Sequence, residues 1–116
     1  MMLTAEQILK ADDRAELVKV DVPEWGGSVN VCVMSGSCRD RWELATAGAV
    51  DRPGTANIRA SLCAYTTCDE KGKRLFSDGQ IAALGEKSSA ALDRVFSVAR
   101  KLNKISDDDI EELEKN

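Results

Sequence analysis

Three features of the sequence predict an α+β fold, mainly α, in which an N-terminal β-hairpin packs on a bundle of about five short-to-medium helices. The first is the stretch from Leu84 to Ile105, where Leu92, Val95, Phe96, Ala99 and Leu102 fall on one helical face. Asp93, Arg94, Arg100 and Lys101 fall mainly on the other faces. The second is a pair of alternating runs, Val18/Val20/Val22 and Val29/Val31/Val33, on either side of the turn Pro23-Glu-Trp-Gly-Gly27. The third is a series of Ser, Thr and Asp residues placed where helix starts need side-chain acceptors.

The elements follow in order. Thr4-Ala-Glu-Gln7 has the form of a capping box and opens a short helix through Ile8 and Leu9, ended by Asp12 and Asp13. The hairpin spans about 15–34. Because an isolated hairpin is barely stable in water, its valine face must lie on something apolar, and the helix from Ser88 is the obvious surface. Ser35 or Ser37 caps a helix over 36–47, with Cys38, Trp42, Ala45 and Ala49 on one stripe and Leu44 beside it. Trp42 is read as core. Gly48 and Pro53-Gly54 break the pattern, and Thr55 caps a helix over 55–67 that turns Ile58, Leu62 and Tyr65 to one side. Asp69-Glu-Lys-Gly-Lys73 is a charged turn, after which Leu75 and Phe76 return to the core. Ser77-Asp-Gly-Gln80 is a second capping box, opening a helix over 78–84 that Gly85 closes as a C-terminal glycine. The long helix runs over 88–104, with Arg100, Lys101 and Lys104 near its negative end. Ser106-Asp-Asp-Asp109 opens a weak last helix over 107–115, whose large apolar residues are Ile110 and Leu113 alone.

With 116 residues, 43% of them apolar, the chain reads as a single domain, 1–116, with a modest core. Aromatics are only 4%, so that core is built mainly from Leu, Val, Ile and Ala. A net charge of −4 argues against a nucleic-acid partner, which needs clustered Lys and Arg. No apolar run approaches the roughly 20 residues that span a bilayer, so no membrane partner is expected. The N-terminus lacks the basic and apolar regions of a signal peptide, and a cytosolic, reducing setting is expected.

Reactive chemistry is sparsely provided for. The chain has no histidine, which removes the commonest general base and metal ligand. Its cysteines, Cys32, Cys38, Cys63 and Cys68, fit no zinc spacing and are expected to be reduced thiols acting as small apolar residues. The acidic run from Asp107 to Glu114 lacks the glycine and ligand order of a calcium loop. Gly72-Lys73 is followed by Arg74 rather than Ser or Thr, so this turn is no phosphate-binding loop. No catalytic residue, cofactor or metal is expected. Trp25 stands out among Pro and Gly in the hairpin turn. It is read either as a lid folded over the hairpin or as an anchor for another protein. Ile110 and Leu113 are the other candidate partner-binding residues.

The order of motifs resembles the tail assembly chaperones of long-tailed bacteriophages. The resemblance is carried by Val20-Asp-Val-Pro-Glu-Trp-Gly-Gly27, followed by Val29-x-Val31 and Ser35-Gly36, and by Asp69-Glu-Lys-Gly-Lys-Arg-Leu-Phe76. It continues through Leu84-Gly-Glu-Lys87, Leu92-Asp-Arg-Val-Phe96 and Asn103-x-Ile-Ser106-x-x-Asp109, and is least clear from Gly48 to Thr55. It implies a non-enzymatic chaperone that binds the tape measure protein, helps recruit tail tube protein and self-associates. Such a protein acts in the host cell cytoplasm during phage assembly and is absent from the mature virion. The family is often made in two lengths by a ribosomal frameshift, and Glu114-Lys115-Asn116 permits a slippery codon string. No residue-level site carries over, because the family has no catalytic motif. Two alternatives are a structural adaptor domain retained in a phage particle and a small cysteine-based metal-binding regulator.

Overall fold

The computed structural model describes residues 1–47 and 57–115. The predicted α+β, mainly α, architecture is present. After α1 (Ala5–Lys10) come β1 (Leu17–Val22) and β2 (Gly27–Cys32), then α2 (Gly36–Thr46) and α3 (Ile58–Thr66). The chain continues through β3 (Thr67–Cys68), α4 (Ile81–Gly85), α5 (Ser89–Leu102) and α6 (Asp107–Lys115). The first turn of the expected 78–84 helix is a 3₁₀ turn, Asp78–Gln80, and α4 takes over from it.

The hairpin pairs in the register Val22↔Gly27 through Leu17↔Cys32. Alternation therefore places Val18, Val20, Val22, Val29 and Val31 on one face, and that face packs on α5. Val22 and Val31 are fully buried. At the tip, Pro23–Trp25 forms one 3₁₀ turn that Gly26 ends at φ +76°, a left-handed value glycine adopts without strain. The hairpin gains a third strand, since β3 pairs antiparallel with β2 through Asn30↔Cys68 and Val31↔Thr67.

The predicted cap is realised at Ser35, which accepts from the Cys38 amide at 3.0 Å, and the long helix is capped by Ser88, which accepts from the Ala91 amide at 3.1 Å. The cap of α3 is Asn57, accepting from the Ala60 amide at 3.0 Å. Thr55, Gly48, Ala49 and Pro53-Gly54 lie outside the described residues. On α5, Leu92, Val95 and Ala99 are buried as expected, and Phe96 and Leu102 are half-buried against the same core.

The helix buried on all sides is α3 rather than α5. Every residue from Ala60 to Thr66 is buried, because α2, α4 and α5 all pack on α3. Its buried Thr66 hydroxyl donates to the Leu62 carbonyl at 2.7 Å, as Thr46 on α2 does to Trp42 at 2.7 Å. The buried stripe of α2 is accordingly Trp42 and Thr46, with Cys38 beside it. Ala45 and Leu44 face outward, Leu44 at 78% exposure. Leu75 does not return to the core, since it is half-exposed while Phe76 packs inward. Gly85 closes no helix by a left-handed turn. It lies inside α4 facing Ala60 and Asn57, where α4 meets the start of α3.

The left-handed residue sits instead after α5. Lys104 takes φ 54°, the Ile105 amide donates to the Arg100 carbonyl at 2.9 Å and the Lys104 amide to Lys101 at 3.3 Å. Together with the buried Ile105 these bonds form a Schellman end, a position that usually carries glycine. A left-handed non-glycine residue costs about 1–2 kcal/mol, against about 0.4–1 kcal/mol of extra unfolded-state entropy for glycine. Lys104→Gly is therefore expected to stabilise the chain by up to about 1 kcal/mol in urea unfolding. A loss of stability would contradict the strain.

Candidate partner-binding site

The hairpin tip and the α4 region enclose a cleft of about 490 Å³ lined by Glu24, Trp25, Phe76, Gln80, Ala83, Leu84 and Lys87. Trp25 is half-buried and packs against the core, so its ring forms one wall of the cleft and covers the core at the same time. The tip is fixed to α5 by Arg94, whose Nε donates to Glu24 at 2.9 Å. That bond holds the Glu24 carboxyl below its usual range. Leu84 is buried at the floor, while Ala83 and Lys87 are exposed at the rim. Gln80 is positioned by the predicted capping box with Ser77.

Phe76 reaches the cleft because the loop before it is anchored twice. Asp69 accepts the amides of Lys71 at 2.8 Å and Lys73 at 3.0 Å, which lower its carboxyl pKa, and Gly72 turns at φ +83°. Arg74 then stacks on the Tyr65 ring at 4.2 Å and donates to Ala64 O at 3.2 Å and to Asp78 at 3.1 Å. The Tyr65 hydroxyl donates to the same Asp78 at 2.9 Å. Burial pushes the Asp78 carboxyl up, but the bonds from Tyr65 and Arg74 outweigh it and hold the group below its ordinary value.

Ile110 and Leu113 lie elsewhere. Both are half-buried against the core on α6, which packs on α2. Ser106 and Asp109 form a reciprocal cap at 3.1 and 2.9 Å, Arg39 approaches Asp109 at 3.7 Å, and Arg100 pairs with Asp107. The α5 helix separates the two places: Glu24 binds Arg94, whereas α6 follows the far end beyond Asn103, about 13 Å of helix later. The structure therefore brings Trp25 together with Phe76 and Leu84, and not with Ile110 and Leu113. Of the cleft residues sequence reasoning named Trp25 alone, and it missed Glu24, Phe76, Gln80, Ala83, Leu84 and Lys87. Their local signals, a charged turn and a capping box, report where a helix starts and not what it faces.

The cysteines are free, with Cys32, Cys63 and Cys68 buried and Cys38 half-buried. Burial pushes the Cys63 and Cys68 thiols up to about 12, which disfavours the thiolate that nucleophilic attack and metal binding both need. Among the described residues no group of three His, Cys, Asp or Glu side chains is placed to hold a metal ion. No described helix is long and apolar enough to cross a membrane.

No family model and no curated protein sequence matches the chain. Among solved structures, the tail assembly chaperone of bacteriophage HK97 is similar, with a TM-score of 0.59 and 23% sequence identity over 88% of this chain and 95% of that one. The fold of this chain is thus the fold of the HK97 tail assembly chaperone.

Proposed function

We propose that this chain is a non-enzymatic phage tail assembly chaperone. It binds the tape measure protein, helps recruit tail tube subunits, self-associates, and is absent from the mature virion. The observation that carries this reading is the likeness of fold over 88% of the chain to the HK97 tail assembly chaperone. It is supported by the order of motifs in the sequence and by a cleft in which Trp25, Phe76 and Leu84 offer apolar surface to a partner. Its place of action is the host cell cytoplasm during assembly. The test is co-expression with the product of the neighbouring tail genes. A long tape measure protein that becomes soluble only with this chain supports the proposal, and equal solubility without it overturns the chaperone role. Detection in purified virions would favour a retained adaptor, and stoichiometric zinc in the purified protein would favour a metal-binding regulator.

Trp25 is the proposed anchor for the tail partner, with Ile110 and Leu113 a second, weaker contact on α6. Trp25→Ala is expected to weaken partner binding at least about 30-fold, the ~2 kcal/mol that marks a hot spot. Because Trp25 also covers the core, stability falls as well, by less than the 3–5 kcal/mol of a fully buried tryptophan. Titration of the folded variant separates the two effects: unchanged affinity leaves Trp25 a lid only.

The two-length synthesis is also proposed here. Asn116 lies outside the described residues. Codons GAA-AAA-AAC for Glu114-Lys115-Asn116 would contain a slippery string, and a second, larger product should then appear in infected cells. Codons without such a string, together with a single band, would remove the idea.

A further inference from the structure

We propose that the end of α5 carries a second partner site, a basic cleft that takes an acidic segment of a partner protein through Lys101 and Lys104. It shares no residue with the cleft at the hairpin tip.

The cleft, of about 560 Å³, opens where the last turns of α5 meet the start of α6. Arg100, Lys101 and Lys104 line it with Ser97, Asp107 and the buried Ile105. Its cations outnumber its one acid three to one, although the whole chain has a net charge of −4. Arg100 is already engaged. It pairs with Asp107, donates to the Ile105 carbonyl at 3.4 Å and lies over the Phe96 ring at 5.6 Å. Lys101 and Lys104 are exposed, and among the described residues neither side chain makes an ion pair or hydrogen bond.

Closing the helix does not require these two lysines. A cation at a helix end commonly bonds the open carbonyls of the last turn. Here the carbonyls of Ala99, Arg100 and Lys101 already accept the amides of Asn103, Ile105 and Lys104. Lys104 in fact costs stability, because it holds a left-handed φ of 54° that glycine would adopt without strain. Backbone strain of this kind gathers at positions whose side chains are used for binding.

Charge selects the occupant. Two free ammonium groups beside a buried apolar residue suit a short segment that carries carboxylates around an apolar side chain. A nucleic acid suits the place badly. Its duplex bears a charge about every 1.7 Å and would run onto α6, whose Asp107, Asp108, Glu111 and Glu112 are exposed. A lone phosphate ion would fill only a small part of so open a cleft.

The test titrates a labelled, capped peptide, Glu-Glu-Leu-Glu-Glu, into the full chain up to millimolar concentration and follows fluorescence anisotropy. Saturable binding is expected that weakens as salt is raised, with none for the Gln-Gln-Leu-Gln-Gln counterpart. Lys101→Gln and Lys104→Gly should each weaken it about fivefold or more, the upper end for an exposed ion pair. Lys104→Arg should retain it, and so should Lys87→Gln in the other cleft. Lys104→Gly is the decisive variant, because it should bind less while melting no lower than wild type. A site that mattered only for folding would not separate the two readouts in that direction. Absence of binding to wild type overturns the proposal, as does unchanged affinity in both Lys101→Gln and Lys104→Gly. An equal loss in Lys87→Gln overturns the location. Displacement of the peptide by inorganic phosphate or duplex DNA at matched charge concentration overturns the acidic segment as occupant.

Discussion

Trp42→Ala is expected to remove about 3–5 kcal/mol of stability, the usual loss for a fully buried large aromatic. Trp42 is 0% exposed on the face of α2 that meets α3, and its Nε1 donates to Ser61 Oγ at 3.1 Å. Truncation therefore opens a cavity between the two helices and strips a buried hydroxyl of its donor. Ser61 retains one bond, as donor to the Ile58 carbonyl at 3.0 Å, so the serine itself is not orphaned. A domain of this size has a total stability of roughly 6–17 kcal/mol. The variant is thus expected to lose a substantial share of that stability, with a melting temperature lower by roughly 12–20 °C. Trp42→Phe keeps most of the apolar volume and should lose only about 1–2 kcal/mol, chiefly the hydrogen bond and a smaller cavity. Urea unfolding of both variants decides it. A loss below about 1 kcal/mol for Trp42→Ala would mean that α2 does not hold its place through this side chain.

The residues around Trp42 show which features were legible in the sequence. Caps and alternation are local, so the starts of α2 and α5, the hairpin and the core face of α5 were all readable from residues within one or two turns of each other. The side of α2 that is buried was not. Ala45 and Leu44 are more apolar than Thr46, and only the structure shows that the Thr46 hydroxyl is satisfied by its own helix and so tolerates burial. Tertiary surroundings also decided α3, whose periodicity promised one buried face while three neighbouring helices cover it all round. The strand Thr67–Cys68 is two residues long, too short to alternate, and exists because β2 offers it an edge. The groove was half legible: Trp25 in a Pro-Gly turn announced itself, but its opposite wall comes from residues 76–87, and no local pattern links the two.

Asn103→Ala is expected to be the most damaging polar substitution, at about 2–4 kcal/mol. Asn103 closes α5 and is 9% exposed. Its Oδ1 accepts from the Met34 amide at 2.8 Å, and its Nδ2 donates to the carbonyls of Cys32 at 3.2 Å and Ala99 at 3.0 Å. Its own carbonyl accepts from Arg39 Nη1 at 3.1 Å, and Arg39 also approaches Asp109 on α6. One side chain therefore joins the end of the hairpin to the end of the long helix, where neither backbone can satisfy the other directly. Alanine removes all three side-chain bonds and leaves the Met34 amide without this acceptor in a buried place, a loss of about 1–3 kcal/mol by itself. Asn103→Asp sharpens the test because it keeps the shape and the acceptor for Met34 but turns both donors into a carboxylate facing two carbonyl oxygens. Burial and those oxygens disfavour the charged form, so the folded-state pKa of the new carboxyl should lie above its unfolded value of about 3.9. A group raised in this way adds stability while protonated and loses it as pH rises through the folded pKa. The Asp variant is therefore expected to be weaker than wild type at pH 7 and to recover part of the difference as pH falls toward 4. The Ala variant should show a difference from wild type that does not change with pH. Urea unfolding at several pH values measures both. A loss under about 0.5 kcal/mol for Asn103→Ala, or an Asp deficit that is flat with pH, would place the junction between hairpin and helix in apolar packing alone.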